Sequence, residues 1–225
     1  MTEIQKHPYS SNNPWFLIPF IAWVVLGGIA QLYFSERSLF EVVNTNHTAY
    51  LDTIMVYITR MGEGIFGSVI LLVLLTFRGF RNWWYFSAAF LCNVIPALLT
   101  QAIKSYVNAP RPLNVFKDAT WIHALPQWER LLERSFPSGH TCAGFSLFCF
   151  LAFILTPKYK WIGLVFFVIA MAVGYSRIYL AAHFFLDVYV GSIIGVIFTI
   201  LVVAIMRRYP HHFYRKQRIH PKAES

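Results

Sequence analysis

Long apolar runs separated by short polar segments organise most of this chain. Trp15 to Phe34, Trp84 to Ile103, Trp161 to Tyr175 and Phe184 to Met206 are candidate membrane spans, with shorter candidates at Ile65 to Phe77 and Thr141 to Leu155. A helix crosses the hydrocarbon core with roughly 20 predominantly apolar residues, and the pattern predicts six such crossings. The polar turns Arg78 to Asn82 and Thr156 to Lys160 are too short for any fold of their own, so the helices they join are antiparallel neighbours. The predicted fold class is an all-α integral membrane protein, a six-transmembrane-helix bundle.

Two stretches depart from this plain alternation. Leu51 to Phe77 contains Arg60 and Glu63 with Gly62 and Gly64 around them, and it reads equally as one long tilted helix or as an interfacial helix over Leu51 to Met61 followed by a short span. Arg60 and Glu63 are three residues apart, a spacing at which they could neutralise each other. The long segment Asn108 to Pro137 repeats Trp121, Leu125, Trp128 and Leu132 at helical spacing, with Glu129, Arg130, Glu133 and Arg134 on other faces. This predicts an interfacial helix in the headgroup layer, apolar side down. It would act as a lid or lipid entrance, or simply cover the bundle.

No repeat or low-complexity linker divides the chain. It reads as one domain over 1–225: a head at 1–14, a membrane core at 15–206 with an external loop at 108–137, and a basic tail at 207–225.

Composition agrees with a membrane protein: 57% of residues are hydrophobic and 13% charged, against roughly 45–50% and 25% in soluble domains. A net charge of +9 and a pI near 9.6 would suit nucleic acid, but the placement of the charges argues otherwise. With the N-terminus inside, eleven of the nineteen Lys and Arg fall on the inner face, six of them from Arg207 to Lys222, while Glu36, Glu41, Asp52, Asp118, Glu129 and Glu133 lie outside. That is the positive-inside bias. It predicts a multi-pass protein of the plasma or inner membrane whose tail is a topology signal in contact, at most, with anionic lipid. The expected partners are the bilayer and a membrane lipid, with no nucleic acid and no obligatory protein partner. Cys92, Cys142 and Cys149 lie in apolar segments and read as small core residues rather than a disulfide framework. The first run continues beyond a typical signal peptide and reads as an uncleaved helix, although Gly28 and Ala30 resemble a weak cleavage site.

Three polar clusters interrupt the apolar chain, and helix parity puts all of them at one membrane level, the external one by charge bias. They are Lys104 with Arg111-Pro112, then Pro137-Ser138-Gly139-His140, then Ser176-Arg177 with His183 and Asp187. Ionisable groups beside hydrocarbon are costly and mark function by default. Lys104, Arg111 and Arg177 suit a polyanion such as phosphate. Ser138 and Gly139 precede a helix whose free N–H groups and dipole also favour an anion. His183 and Asp187, four apart, share a helix face, so the carboxylate can hold the imidazole, fix its tautomer and stabilise charge on the ring. His140 is then available as a general acid and base.

Each residue also has a plainer reading. Lys104 and Arg111 could snorkel to headgroups, Pro137 to Gly139 could be an ordinary turn and cap, and His183 with Asp187 could be a structural pair or two ligands of a metal. Three cations in the cluster argue against a dication. Only the anion site accounts for all of these residues at one level.

At these motifs the chain resembles the type 2 phosphatidic acid phosphatase superfamily, the lipid phosphate phosphatases, whose site is shared with vanadium haloperoxidases. The signature of Lys, six residues, Arg-Pro; Pro-Ser-Gly-His; and Ser-Arg, five residues, His, three residues, Asp stands complete at Lys104 to Pro112, Pro137 to His140 and Ser176 to Asp187. The resemblance implies that His183 is the nucleophile forming a phosphohistidine, Asp187 its orienter and His140 the general acid and then base. Lys104, Arg111, Ser138, Gly139 and Arg177 would bind the phosphoryl oxygens, and no metal or other cofactor is implied. His183 must start neutral and His140 protonated, which predicts a bell-shaped pH profile.

The expected activity is hydrolysis of a lipid phosphomonoester or terminal phosphate: phosphatidate, phosphatidylglycerophosphate, undecaprenyl diphosphate or a lipid A type substrate. Two alternatives stand beside it, phosphotransfer between lipids and a membrane transporter or lipid-binding protein that holds phosphate without cleaving it. Transporter sites usually lie near the midplane on broken helices within repeats, whereas these motifs lie at helix ends.

Overall fold

The computed structural model describes residues 12–81, 83–126 and 131–208. Its elements, in chain order, are α1 (Pro14–Tyr33), α2 (Glu36–Asn44), α3 (Ala49–Arg60), α4 (Gly64–Thr76), α5 (Trp83–Val107), α6 (Pro112–Val115), α7 (Gly139–Ile154), α8 (Ile162–Tyr179) and α9 (Phe185–Arg208), with 3₁₀ turns at Arg78–Phe80 and Pro157–Tyr159. Among the described residues there is no strand.

The helix starts follow local chemistry. Asn13 caps α1 by accepting from Trp15 N, with Pro14 in the first turn, where its missing N–H costs nothing. Ser35, Thr48 and Ser138 cap α2, α3 and α7 in the same way. Asn13 also donates to the carbonyls of Ala152 and Lys160 at 3.0 and 2.9 Å, which ties the start of α1 to the α7–α8 turn.

The protein is a multi-pass integral membrane protein. α1, α5, α8 and α9 are long and apolar enough to cross a membrane. α3 and α4 pass the same test only as a pair, bent by 60° at a break of a few residues. Of the two shapes open for this stretch, two pieces are formed, and at the break Arg60 lies over the Tyr57 ring with no ion pair to Glu63 among the described residues. Large apolar side chains on α1 and α4, including Ile18, Leu26, Leu32, Ile65 and Leu72, face outward, as they should where the surroundings are hydrocarbon.

α7 has only 16 residues, 13 of them buried, so neighbouring helices rather than lipid surround it and its length need not match the bilayer. It packs against α8, α9 and α5. Contact with α9 is backbone to backbone. A Cβ on Gly191 would lie 2.6 Å from the Ser138 carbonyl oxygen, and one on Gly195 2.5 Å from that of Cys142. Small residues permit this approach where apolar burial gives helices little reason to associate. Deeper in the core, Ser146 of α7 donates to the Cys92 carbonyl of α5 and bonds Thr199 of α9 at 2.9 Å. The three cysteines are buried and free.

The loop before α7 differs from expectation. Residues 121–126 and 131–132 are not helical, and the central part of the helix expected over Trp121 to Leu132, with Trp128, Glu129 and Arg130, lies outside the described residues. Trp121 packs with Phe40 and Phe116, and Leu125 is buried in a cluster with Met55, Tyr179 and Leu180. Asn44 takes the place of helical partners: it donates to the carbonyls of His123 and Tyr179, each at 2.9 Å, and accepts from His123 N at 2.8 Å. Pro126 follows, which lacks an N–H for a helix ladder. The amphipathic helix that does form here is α2, whose buried Phe40 and Asn44 face the bundle.

Candidate active site

All eight residues marked out in the sequence gather at one end of the bundle. Lys104 is in the last turn of α5, Arg111 immediately precedes α6, Ser138 caps α7, and Gly139 and His140 begin it. Arg177 is in the last turn of α8, His183 lies in the α8–α9 corner, and Asp187 is in the first turn of α9. The corner is sharp: the N–H groups of Ala182 and His183 both donate to the Arg177 carbonyl, at 3.0 and 3.2 Å. Ala181 takes φ 51° to make the turn, a left-handed conformation usually left to glycine.

Arg111 and Arg177 are held from behind. Arg111 is only 5% exposed, and it donates through Nε to Glu133 O at 2.8 Å, through Nη1 to Ala182 O at 3.0 Å and through Nη2 to Arg134 O at 3.3 Å. This is a clamped guanidinium, which rules out the snorkelling reading for it. Arg177 is buried and donates from Nη1 to Thr59 Oγ1 at 2.7 Å. Lys104 is half-buried and donates to Arg134 O at 3.0 Å. A Cβ on Gly139 would lie 4.0 Å from Lys104 Cε, so the lysine stem runs beside the start of α7.

The His183–Asp187 pair predicted from spacing is present. Nδ1 of His183 lies 3.3 Å from Asp187 Oδ2, and both side chains are almost fully buried. The same oxygen accepts from Phe184 N at 2.9 Å and from Ser135 Oγ at 2.5 Å. Burial, reinforced by the nearby cations Arg177, Arg111 and Lys104, pushes the His183 imidazole well below its ordinary range and holds it neutral. His140 is half-buried and makes no side-chain hydrogen bond with the other described residues. Ser138 spends its hydroxyl on the cap, accepting from Thr141 N at 3.4 Å and Thr141 Oγ1 at 2.8 Å, while its own N–H donates to the Asp187 carbonyl at 3.0 Å.

Sequence reading missed Thr59 and Ser135. Thr59 sits in a stretch read for its apolar character, and Ser135 is outside the three motifs. A buried Ser directly preceding Phe-Pro-Ser-Gly-His carries no spacing signal by itself.

Comparison with known proteins points the same way. A family model described as the PAP2 superfamily matches residues 81–210. A curated protein of Sulfolobus acidocaldarius, named undecaprenyl-diphosphatase, is 28% identical over 182 residues, covering 80% of this chain and 82% of its own. The crystal structure of Aquifex aeolicus LpxE aligns with a TM-score of 0.62 and 29% identity, over 74% of this chain and 93% of that one. The structure of a transmembrane PAP2 type phosphatidylglycerolphosphate phosphatase from Bacillus subtilis aligns with a TM-score of 0.64 over 87% and 98% of the two chains; at 22% identity it speaks for the fold alone. With a family match over more than half its length and the motif residues assembled at one end of the bundle, the chain belongs to the PAP2 superfamily.

Proposed function

We propose that this site dephosphorylates a membrane lipid at the outer face of the bilayer through His183. The protein is a metal-independent membrane lipid phosphatase of the PAP2 type. The observation that carries the residue assignment is the buried His183–Asp187 pair beside Lys104, Arg111 and Arg177. Neutral imidazole is the attacking form, and burial among cations keeps it so. With Nδ1–H directed at the carboxylate, Nε2 attacks phosphorus. The P–O bond to the lipid breaks, and positive charge appearing on the ring is met by Asp187.

His140, without a side-chain hydrogen bond among the described residues, protonates the leaving oxygen and then takes a proton from the water that opens the phosphohistidine. Lys104, Arg111, Arg177 and the N–H of Gly139 hold the equatorial oxygens, where charge stabilisation does most for phosphoryl transfer, while Ser138, whose own N–H is given to the Asp187 carbonyl, caps the helix that presents Gly139.

We read six crossings, the bent α3–α4 pair and the short, enclosed α7 each counting as one, with the site outside by charge bias. The lipid is a glycerolipid phosphate or polyprenyl diphosphate, in keeping with the names of the relatives.

The test is phosphate release from a panel of such lipids, with EDTA present, by the purified protein and its His183→Ala variant. Release that survives EDTA and vanishes in the variant supports the assignment. Release that persists in His183→Ala overturns it, and phosphate appearing on a second lipid would mean transfer.

A further inference from the structure

Ser135 belongs to none of the three motifs, yet it is fully buried against the pair that the proposed mechanism uses. Its Oγ donates to Asp187 Oδ2 at 2.5 Å and stands 3.4 Å from His183 Nδ1, while the direct Nδ1 to Oδ2 distance is 3.3 Å. The serine thus makes a shorter bond to the carboxylate than the histidine does. A hydroxyl donates and accepts at once, so it can receive part of the imidazole N–H while giving its own hydrogen to Oδ2.

The backbone around Ser135 is held by the phosphate-binding candidates. Ser135 N donates to Ala109 O at 2.9 Å and Arg111 N to Leu132 O at 2.8 Å. Lys104 and Arg111 grip the intervening carbonyls of Glu133 and Arg134. A buried serine that merely needed a partner would commonly bond back to a nearby carbonyl, as Ser176 does to Val173. Ser135 is instead aimed at a carboxylate.

We propose that Ser135 is a positioning residue of the phosphatase site, whose hydroxyl fixes the Asp187 carboxylate and shares the His183 Nδ1–H, so that Lys104, Arg111 and the His183–Asp187 pair are joined through one short segment. The inference rests on the roles given above to His183 and Asp187.

The experiment is a double-mutant cycle on the full chain in detergent, with dioctanoyl phosphatidate and farnesyl diphosphate as probes and His183→Ala as reference. Ser135→Ala is expected to lower kcat roughly ten- to a hundredfold, the scale of a hydrogen bond to a charged group, with KM nearly unchanged. Ser135→Thr, which keeps the hydroxyl, should recover much of the loss. In an Asp187→Asn background the further cost should shrink to within about twofold, because both changes remove one interaction.

Ser135→Cys keeps the volume while weakening the donor, and reports the same loss if Ser135→Ala is unstable. An equal cost in both backgrounds, a change confined to KM, or full activity in Ser135→Ala overturns the proposal. Activity surviving in His183→Ala would instead overturn the mechanism on which it rests.

Discussion

Arg177 Nη1 donates to Thr59 Oγ1 over 2.7 Å, joining the third motif to a helix that carries none of the motifs. Both residues are buried, so this bond sets where one guanidinium can point. Thr59→Val keeps the shape and removes the acceptor. We expect kcat/KM to fall roughly tenfold or more, the cost of a hydrogen bond to a charged group, with the fold intact by size-exclusion chromatography. Wild-type kcat/KM in the variant would mean that other contacts suffice to orient Arg177.

The bend between α3 and α4 presses on the site through Gly62. A Cβ there would lie 2.6 Å from the His140 carbonyl oxygen and 2.8 Å from Val173 Cγ1. Backbone cannot yield as a side-chain tip can, so Gly62→Ala should cost about 1–3 kcal/mol, typical of overpacking, and lower activity by displacing His140. A drop in melting temperature together with lost turnover is the expected result. Gly64→Ala is the control, since nothing lies within 4 Å of a Cβ at that position.

Holding His183 neutral should be visible as a pH effect on stability. Burial lowers its folded pKa well below the ordinary imidazole value of 6.5, so below 6.5 the unfolded chain binds a proton that the folded one refuses. The folded state therefore loses stability as pH falls from 6.5 toward that depressed value, by up to about 1.4 kcal/mol per pH unit. Between pH 7 and pH 5, the melting temperature of the wild type should fall further than that of His183→Gln. Parallel melting curves would show that His183 takes up its proton without resistance.

Asn44 holds the loop before α7 by three hydrogen bonds, two to His123 and one to Tyr179. At about 1 kcal/mol net for each, Asn44→Ala should lose roughly 2–4 kcal/mol. It should also open residues 121–126 to limited proteolysis, while Asn46→Ala, at an exposed position, should do neither. Equal cleavage rates in wild type and Asn44→Ala would assign the loop's order to Trp121 and Leu125 instead.

Helical periodicity over Trp121 to Leu132 is not matched by helix at 121–126 or 131–132. Trp121, Leu125 and Leu132 have helical spacing, but Trp121 packs with Phe40 and Phe116, Leu125 lies in a cluster with Tyr179, and Leu132 is exposed. For Trp121 and Leu125 the spacing reflects inward contacts made by a non-helical stretch over 121–126. α2 went unseen because it is only nine residues long, with Glu36, Arg37 and Glu41 among Leu39, Phe40, Val42 and Val43, and sits beside a stronger apolar run. At the break in α3–α4, Arg60 and Gly62 marked the place, while the 60° bend and the close approach of Gly62 to the His140 backbone belong to the tertiary structure.

The sequence by itself determined the membrane class, the main apolar runs and the motif residues that gather at the site. Apolar length and fixed motif spacing are local properties, and helix parity carries them to one level of the bundle. Only the tertiary structure decided what supports those residues: Thr59 behind Arg177, the Glu133 and Arg134 carbonyls under Lys104 and Arg111, and Ser135 on Asp187. These partners are common residue types between 30 and 118 positions away for Lys104 with Arg134 and Arg177 with Thr59, and nothing local announces them. Their identity depends on which backbones approach closely enough, and that is fixed by glycines such as Gly62 and Gly191 where helices meet.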